Sequence, residues 1–170
     1  MSDFKEINAD ELNKNPFKMI GKDWMLISAK KDDKVNTMTA SWGGLGVIWN
    51  KNVVTAYIRP QRYTKEFIDN SDTFSISVLG NEYRKELSYL GTISGRNEDK
   101  ISKVGLTVVN DNNTPYFNES NIVIICRKLY VQDLKEDGFV DSSLINKNYI
   151  KGDFHTMYIG EIIKVLIKED

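Results

Sequence analysis

The strongest constraint on the fold of this chain is a period of two. In "DTFSISVL", Phe74, Ile76 and Val78 alternate with Thr73, Ser75 and Ser77, so an extended backbone puts the apolar residues on one face and the hydroxyls on the other. "NVVTAYIR" repeats the pattern, with Val54, Ala56 and Ile58 opposite Thr55, Tyr57 and Arg59. "WMLISAK" from Trp24 is a further short strand, and "NIVIICRKLYVQDL" is a longer one rich in β-branched residues. In the C-terminal "FHTMYIGEIIKVLIKED", Met157, Ile159, Ile163, Val165 and Ile167 share a side that Glu161 interrupts, and a bulge at Gly160 can reset the register. Helical signals are fewer. Asn81 can cap "NEYRKELSYLG", which carries an apolar stripe through Tyr83, Leu87 and Leu90 and a stop at Gly91. Thr64 can cap "KEFIDN", and "EDKISKVG" reads as a short helical turn. Many short strands, few helices and no regular βαβ alternation predict an antiparallel barrel or sandwich of α+β or all-β type.

Nothing divides the 170 residues: repeats, linkers and low-complexity tracts are missing, so a single domain over 1–170 is expected. The 23 basic and 24 acidic residues nearly cancel, which leaves no global field to draw in nucleic acid or an acidic membrane. Any anion must be caught locally. The lone Cys126 excludes an internal disulfide framework and a thiolate zinc cluster, and in its apolar run it reads as a small hydrophobe. The opening "MSDFKEINADELNKNPFK" is polar, and no run approaches the roughly 20 apolar residues of a membrane span. The expectation is a cytoplasmic protein that binds neither membrane nor nucleic acid.

Several chemistries fail on spacing. Gly44 and Gly46 begin a G-x-G, but Trp49 stands where the dinucleotide fingerprint needs its third glycine, and no P-loop motif is present. "GTISG" has Ile93 at the centre of the window where a nucleophile elbow needs serine. One histidine rules out multi-histidine metal sites, and no residue pattern points to a metal. Local anion signals remain. In "RPQRYTKEF", Arg59, Arg62 and Lys65 lie within seven residues and lead into a helix start at Thr64. Free backbone N–H groups and guanidinium there would suit a phosphate; the same residues also read as a solvated basic turn with an ordinary cap. "SGRNEDK" offers Gly95 for close backbone approach and Arg96 and Lys100 for charge, or is an ordinary loop before a helix. His155, taken alone, reads as structural or exposed.

"NTMTASWGG", Asn36 to Gly44, is β-forming at its start yet thin and polar until Trp42, as if something flat and hydrogen-bonding lay against its backbone. With "RPQRYT" about twenty residues on, then "SGRNEDK" and "HTMYIGEI", it resembles, in the same order, the flavin reductase-like family with the FMN-binding split β-barrel, including its flavoredoxin branch. The likeness covers the chain from about Trp24 onward. It implies a mainly β, antiparallel Greek-key split barrel of six strands with inserted helices, forming a homodimer with FMN near the subunit interface. It implies that Asn36, Thr37, Met38, Thr39, Ala40 and Ser41 lie along the isoalloxazine. It implies that Arg62, Tyr63, Thr64, Lys65 and, less directly, Arg59 clamp the phosphate with help from Gly95, Arg96 and Lys100. His155 then falls where the nicotinamide docks, positioning it rather than moving a proton. Trp42 either walls the site, stacks at the interface or is core. The implied activity is hydride transfer from NADH or NADPH to flavin N5, which needs stacking and exclusion of side reactions but no general base. The alternative is an FMN-binding electron carrier served by a protein partner, with no nicotinamide site. A flavin-free split-barrel binding module and a pyridoxamine phosphate oxidase on the same barrel are further readings.

Overall fold

The structure is a computed structural model describing residues 4–169; the extreme ends of the expected 1–170 domain lie outside them. The described strands are β1 (Phe4–Ile7), β2 (Met25–Lys31), β3 (Lys34–Ala40), β4 (Gly43–Ile48), β5 (Lys51–Ile58), β6 (Thr73–Leu79), β7 (Val108–Asp111), β8 (Thr114–Phe117), β9 (Ser120–Asp133) and β10 (Thr156–Lys168). Between them lie α1 (Pro16–Lys18), which runs into a π-turn over Met19–Asp23, then α2 (Tyr63–Asp69), α3 (Arg84–Thr92), α4 (Lys100–Val104) and α5 (Ser143–Asn148).

The main sheet is antiparallel and runs β3-β2-β6-β9-β10-β5-β4, with β1 added on β10. Its two ends, β3 and β4, are joined in the chain by Ser41 and Trp42 alone. Laid flat, seven strands would hold their edges roughly 29 Å apart, whereas three Cα–Cα steps span at most about 11 Å. The sheet must therefore curl until its edges meet. A split barrel results, closed at this seam by a covalent link. The resemblance implies six strands; here β4 adds a seventh to the path.

The periodic residues fill the curl. Ile27, Met38, Ala40, Val54, Ala56, Ile58, Phe74, Ile76, Ile124 and Tyr158 form one buried cluster drawn from six strands. Two glycines permit this closeness. A Cβ on Gly43 would stand 2.9 Å from both Met25 Cε and the Thr55 carbonyl oxygen, so β4 meets β2 across the seam only without a side chain there. A Cβ on Gly160 would stand 2.7 Å from the Phe74 ring and 2.8 Å from Cys126 Cβ.

The opposite face of β2 and β6 is covered as well. Leu87 and Leu90 of α3, Ile101 of α4 and Phe117 of β8 pack with Leu26 and Leu79. This places α3 beside β3, where Thr39 Oγ1 donates to the Leu87 carbonyl at 2.5 Å. Ser75 and Ser77 of the β6 hydroxyl row are buried here, with Ser75 Oγ donating to the Pro115 carbonyl.

Several local expectations shift. The bulge at Gly160 is present, but a second register shift between Ile162 and Lys164 turns Ile163 outward, where it is 48% exposed. Helix α2 begins at Tyr63 with Arg62 in the capping position, so Thr64 is not the cap; its hydroxyl accepts from Asn36 Nδ2 instead. Asn81 opens a separate 3₁₀ turn (Asn81–Tyr83) ahead of α3, and α3 passes Gly91 to end at Thr92. Trp24 stands before β2 at φ 71 rather than within it. Asp99 caps α4 and Gly105 closes it in the left-handed region.

Candidate functional site

Edge strand β3 carries the polar stretch, and its alternation decides which side chains face where. Met38 and Ala40 belong to the barrel core. Thr37 is fully buried, its Oγ1 donating to the Ile27 carbonyl at 3.1 Å and bonded to Ser28 Oγ at 2.8 Å, so this hydroxyl is not available to a ligand. Thr39 is tied to α3 as described. Asn36 reaches the other way, bonded to Thr64 at 2.9 Å and covered by the backbone of Gly95, where a Cβ would overlap its side chain. What β3 offers a ligand is chiefly backbone and the hydroxyl of Ser41.

Two cations converge behind this strand. Arg62 Nη1 donates to the Gly91 carbonyl at 2.7 Å and Nη2 reaches the Thr39 carbonyl at 3.5 Å. Lys100 Nζ donates to the Leu90 and Ile93 carbonyls at 2.7 and 2.9 Å. Both occupy the C-terminal end of α3, whose unsatisfied carbonyls favour positive charge. Neither has a carboxylate within ion-pair distance among the described residues. Lys100 is 3% exposed; burial, reinforced by the Arg62 charge, pushes its pKa down to about 8. Burial also lowers that of Arg62. A buried lysine beside a half-buried arginine, with no carboxylate paired to either among the described residues, forms an electrostatically incomplete centre.

The excursion between β9 and β10 supplies the other wall. Arg59, just past the end of β5, donates to Asp153 Oδ2 at 2.7 Å and to the Asn148 carbonyl at 2.9 Å, and lies 5.1 Å from the Tyr149 ring centroid. It holds the returning loop rather than an open charge. Tyr149 OH and His155 Nδ1 are 2.7 Å apart, and Trp42 leans on the imidazole with centroids 5.1 Å apart. Burial, then the charge of Arg59, lowers the His155 pKa to about 4 against the opposing pull of Asp153, so the ring is neutral near pH 7. Burial raises the Tyr149 pKa. The Tyr149 contact at Nδ1 leaves Nε2 as the imidazole nitrogen without a protein partner among the described residues; if the phenol donates to Nδ1, the ring proton is on Nε2.

Two depressions follow β3. One, of about 260 Å³, is bordered by Met38 to Trp42, Tyr57, Arg59, Arg62, Gly91 and His155. The other, of about 350 Å³, is bordered by Lys34 to Asn36, Tyr63, Gly95 and Lys100 among others. From Asn36 to Ser41 the strand advances roughly 17 Å, so a ligand lying along it has a cleft at each end.

The structure thus brings together the thin strand, Arg62, Tyr63, Thr64, Gly95, Lys100 and His155. It does not bring Lys65 to either depression: its ammonium pairs with Asp69 at 2.8 Å. Arg96 is exposed, bonded to Glu66 and to the Gln61 carbonyl, with its guanidinium 4.7 Å from the Tyr63 ring centroid. Sequence reasoning passed over Tyr57, Gly91 and Tyr149. For Tyr57 the signal existed in the alternation of "NVVTAYIR", which sets it opposite the apolar residues; for Tyr149, outside any periodic segment, there was none.

An anionic ligand with a flat, hydrogen-bonding portion fits this donor set. An uncharacterized protein of Archaeoglobus fulgidus is 29% identical over 133 residues, which is 78% of this chain and 66% of that one. The chain therefore spans just under two thirds of that relative. The fold is shared with the flavoredoxin of Desulfovibrio vulgaris (TM-score 0.68, 24% identity, covering 97% of this chain and 77% of that one). It is shared too with the FMN-binding domain of a flavin reductases-like enzyme from Shewanella baltica (TM-score 0.71, 15% identity, again 97% and 77%). The family described as flavin reductase like domain matches residues 18–170, and the chain belongs to that family.

Proposed function

We propose that this protein binds FMN along β3 and acts as an NAD(P)H-dependent flavin reductase-like oxidoreductase. The observation that carries the FMN reading is the pair of half-buried Arg62 and buried Lys100, without a paired carboxylate among the described residues, at one flank of edge strand β3. Lys100, with Tyr63 and Gly95 around the second depression, would hold the phosphate. The backbone of residues 38–41 would meet the polar edge of the ring system, and Trp42 and Tyr57 would keep water from its face. FMN, when bound, supplies the two-electron redox centre that the side chains lack. Neutral His155 offers a fixed hydrogen-bond donor for orienting a carboxamide, and with a pKa near 4 it exchanges no proton near pH 7.

A second reading is an FMN-binding electron carrier that exchanges electrons with a protein partner. It is favoured by the engagement of Arg59 with Asp153, which leaves, among the described residues, no unpaired cation in the cleft besides Arg62 for the phosphates of a dinucleotide. An anaerobic visible spectrum of the purified protein with FMN, before and after NADH or NADPH, decides between them. Bleaching by either nucleotide faster than free FMN supports the reductase. A bound flavin that neither nucleotide bleaches supports the carrier, and failure to bind FMN sinks both.

A further inference from the structure

His155 is the only histidine of the chain, and three contacts fix it. Leu134 N–H donates to its carbonyl at 2.9 Å, Trp42 leans on its ring, and Tyr149 OH stands 2.7 Å from Nδ1. Nε2 has no partner among the described residues. The two ring nitrogens point in different directions, so whatever holds one aims the other. His155 borders the depression beside β3, whereas Tyr149 borders a separate chamber of about 590 Å³ that shares Trp42 with it. Nδ1 is therefore spent on Tyr149, and Nε2 is the nitrogen left for the cleft. Tyr149 is itself held firmly. Its ring centroid lies 4.9 Å from that of Phe154 and 5.7 Å from that of Phe139, and it is 6% exposed. Arg59 covers the ring and also donates to the carbonyl of the preceding residue, Asn148.

Acidity decides which of the two groups donates. Both rings are neutral near pH 7, since burial raises the Tyr149 pKa and lowers that of His155 to about 4. Between neutral rings, the phenol is the stronger acid and the unprotonated imidazole nitrogen the stronger base. Tyr149 OH has no other protein acceptor among the described residues, so a proton on Nδ1 would leave the phenol's own proton without a partner. We propose that Tyr149 is a positioning residue: its hydroxyl donates to Nδ1, holds His155 as the Nε2–H tautomer and aims that N–H into the cleft at a carbonyl acceptor. That the acceptor is a nicotinamide carboxamide rests on the reductase reading; the tautomer and its dependence on Tyr149 do not.

Two-bond ¹H–¹⁵N NMR of the untagged, full-length protein at pH 7 tests this, because a lone histidine gives an unambiguous signal. A protonated Nε2 and an unprotonated Nδ1 are expected. Tyr149→Phe keeps the ring and its packing, and should move both nitrogens toward the averaged shifts of exchanging tautomers. A proton on Nδ1 in the unaltered protein, or an unchanged spectrum in the variant, would overturn the assignment. Kinetics of NADH and NADPH oxidation by the FMN-loaded protein add a second reading. Tyr149→Phe should raise KM for the nucleotide roughly threefold to tenfold with kcat little changed, the sign of a contact made equally before and during hydride transfer. In a His155→Ala background the same substitution should add nothing, since Tyr149 acts through the imidazole. An additive loss there, or a fall in kcat and FMN affinity with KM unmoved, would mark Tyr149 as packing only and overturn the proposal. No turnover by the unaltered protein would count against the reductase reading alone, because the NMR arm needs no nucleotide.

Discussion

Lys100 carries the clearest consequence at the scale of single residues. Its folded pKa of about 8 lies below the ordinary lysine value, so on raising pH through 8 the buried ammonium loses its proton before an unfolded lysine would. A bound phosphate favours the charged form, and FMN affinity should therefore fall as pH rises from about 7 to 9. In Lys100→Met protein the affinity should be weaker and flat over that range; fluorescence titration of FMN at several pH values reads both. Arg62→Ala should lose about 1.5–3 kcal/mol of FMN binding, roughly tenfold to hundredfold, and unchanged affinity would remove Arg62 from the site. His155 has its consequence in stability. Its folded pKa lies below the unfolded value, so the unfolded chain binds more protons between about pH 6.5 and 4, and stability is lost as pH falls through that window. His155→Gln should flatten that stretch of a urea-midpoint profile.

Among elements, the period-two strands were legible because one face of each had to be apolar, and β5, β6 and β9 formed where the alternation put them. The hairpin β7–β8 escaped because its "NDNNTP" turn joins strands of four residues, too short to display a period. The proximity of the "NTMTAS" strand to "RPQRYT" was readable only as a family likeness, because the contact from Arg62 to Thr39 is set by the barrel's curl. Thr37 and Lys65 show the limit of residue type as a guide: a hydroxyl on the buried face of a strand and a lysine four residues before an aspartate on a helix find partners within the fold. The two seam glycines make a matched test. Gly43→Ala must displace Met25 or the backbone at Thr55 and should cost about 1–3 kcal/mol, whereas Gly44→Ala, with open space around it, should change the urea midpoint little. Likewise, Arg59→Ala removes the guanidinium that ties Asp153 and Asn148 to β5. Faster amide exchange over residues 143–153 is the expected result.

For the whole molecule, one patch of exposed apolar surface lies around the β4–β5 turn. Val47 is 73% exposed and Trp49 53%, with Tyr130 and Val131 of β9 also exposed, and Trp49 lies 6.3 Å from Tyr130 between ring centroids. We propose that this face joins two copies into a homodimer. Sedimentation of the unaltered protein should then show twice the chain mass, and Val47→Glu with Trp49→Glu should shift it toward the monomer. No described helix is long and apolar enough to cross a membrane. The Ser41–Trp42 link has a larger implication still. Because two residues tether the opposite margins of a seven-strand ribbon, the circumference of the molecule is fixed by the length of a dipeptide. Chain length is thus constrained there by geometry rather than by chemistry: extra glycines spliced between Ala40 and Gly43 would loosen the hoop and widen its slot. The same step would carry Trp42 away from His155, so the girth of the scaffold and the shape of its cleft cannot change independently.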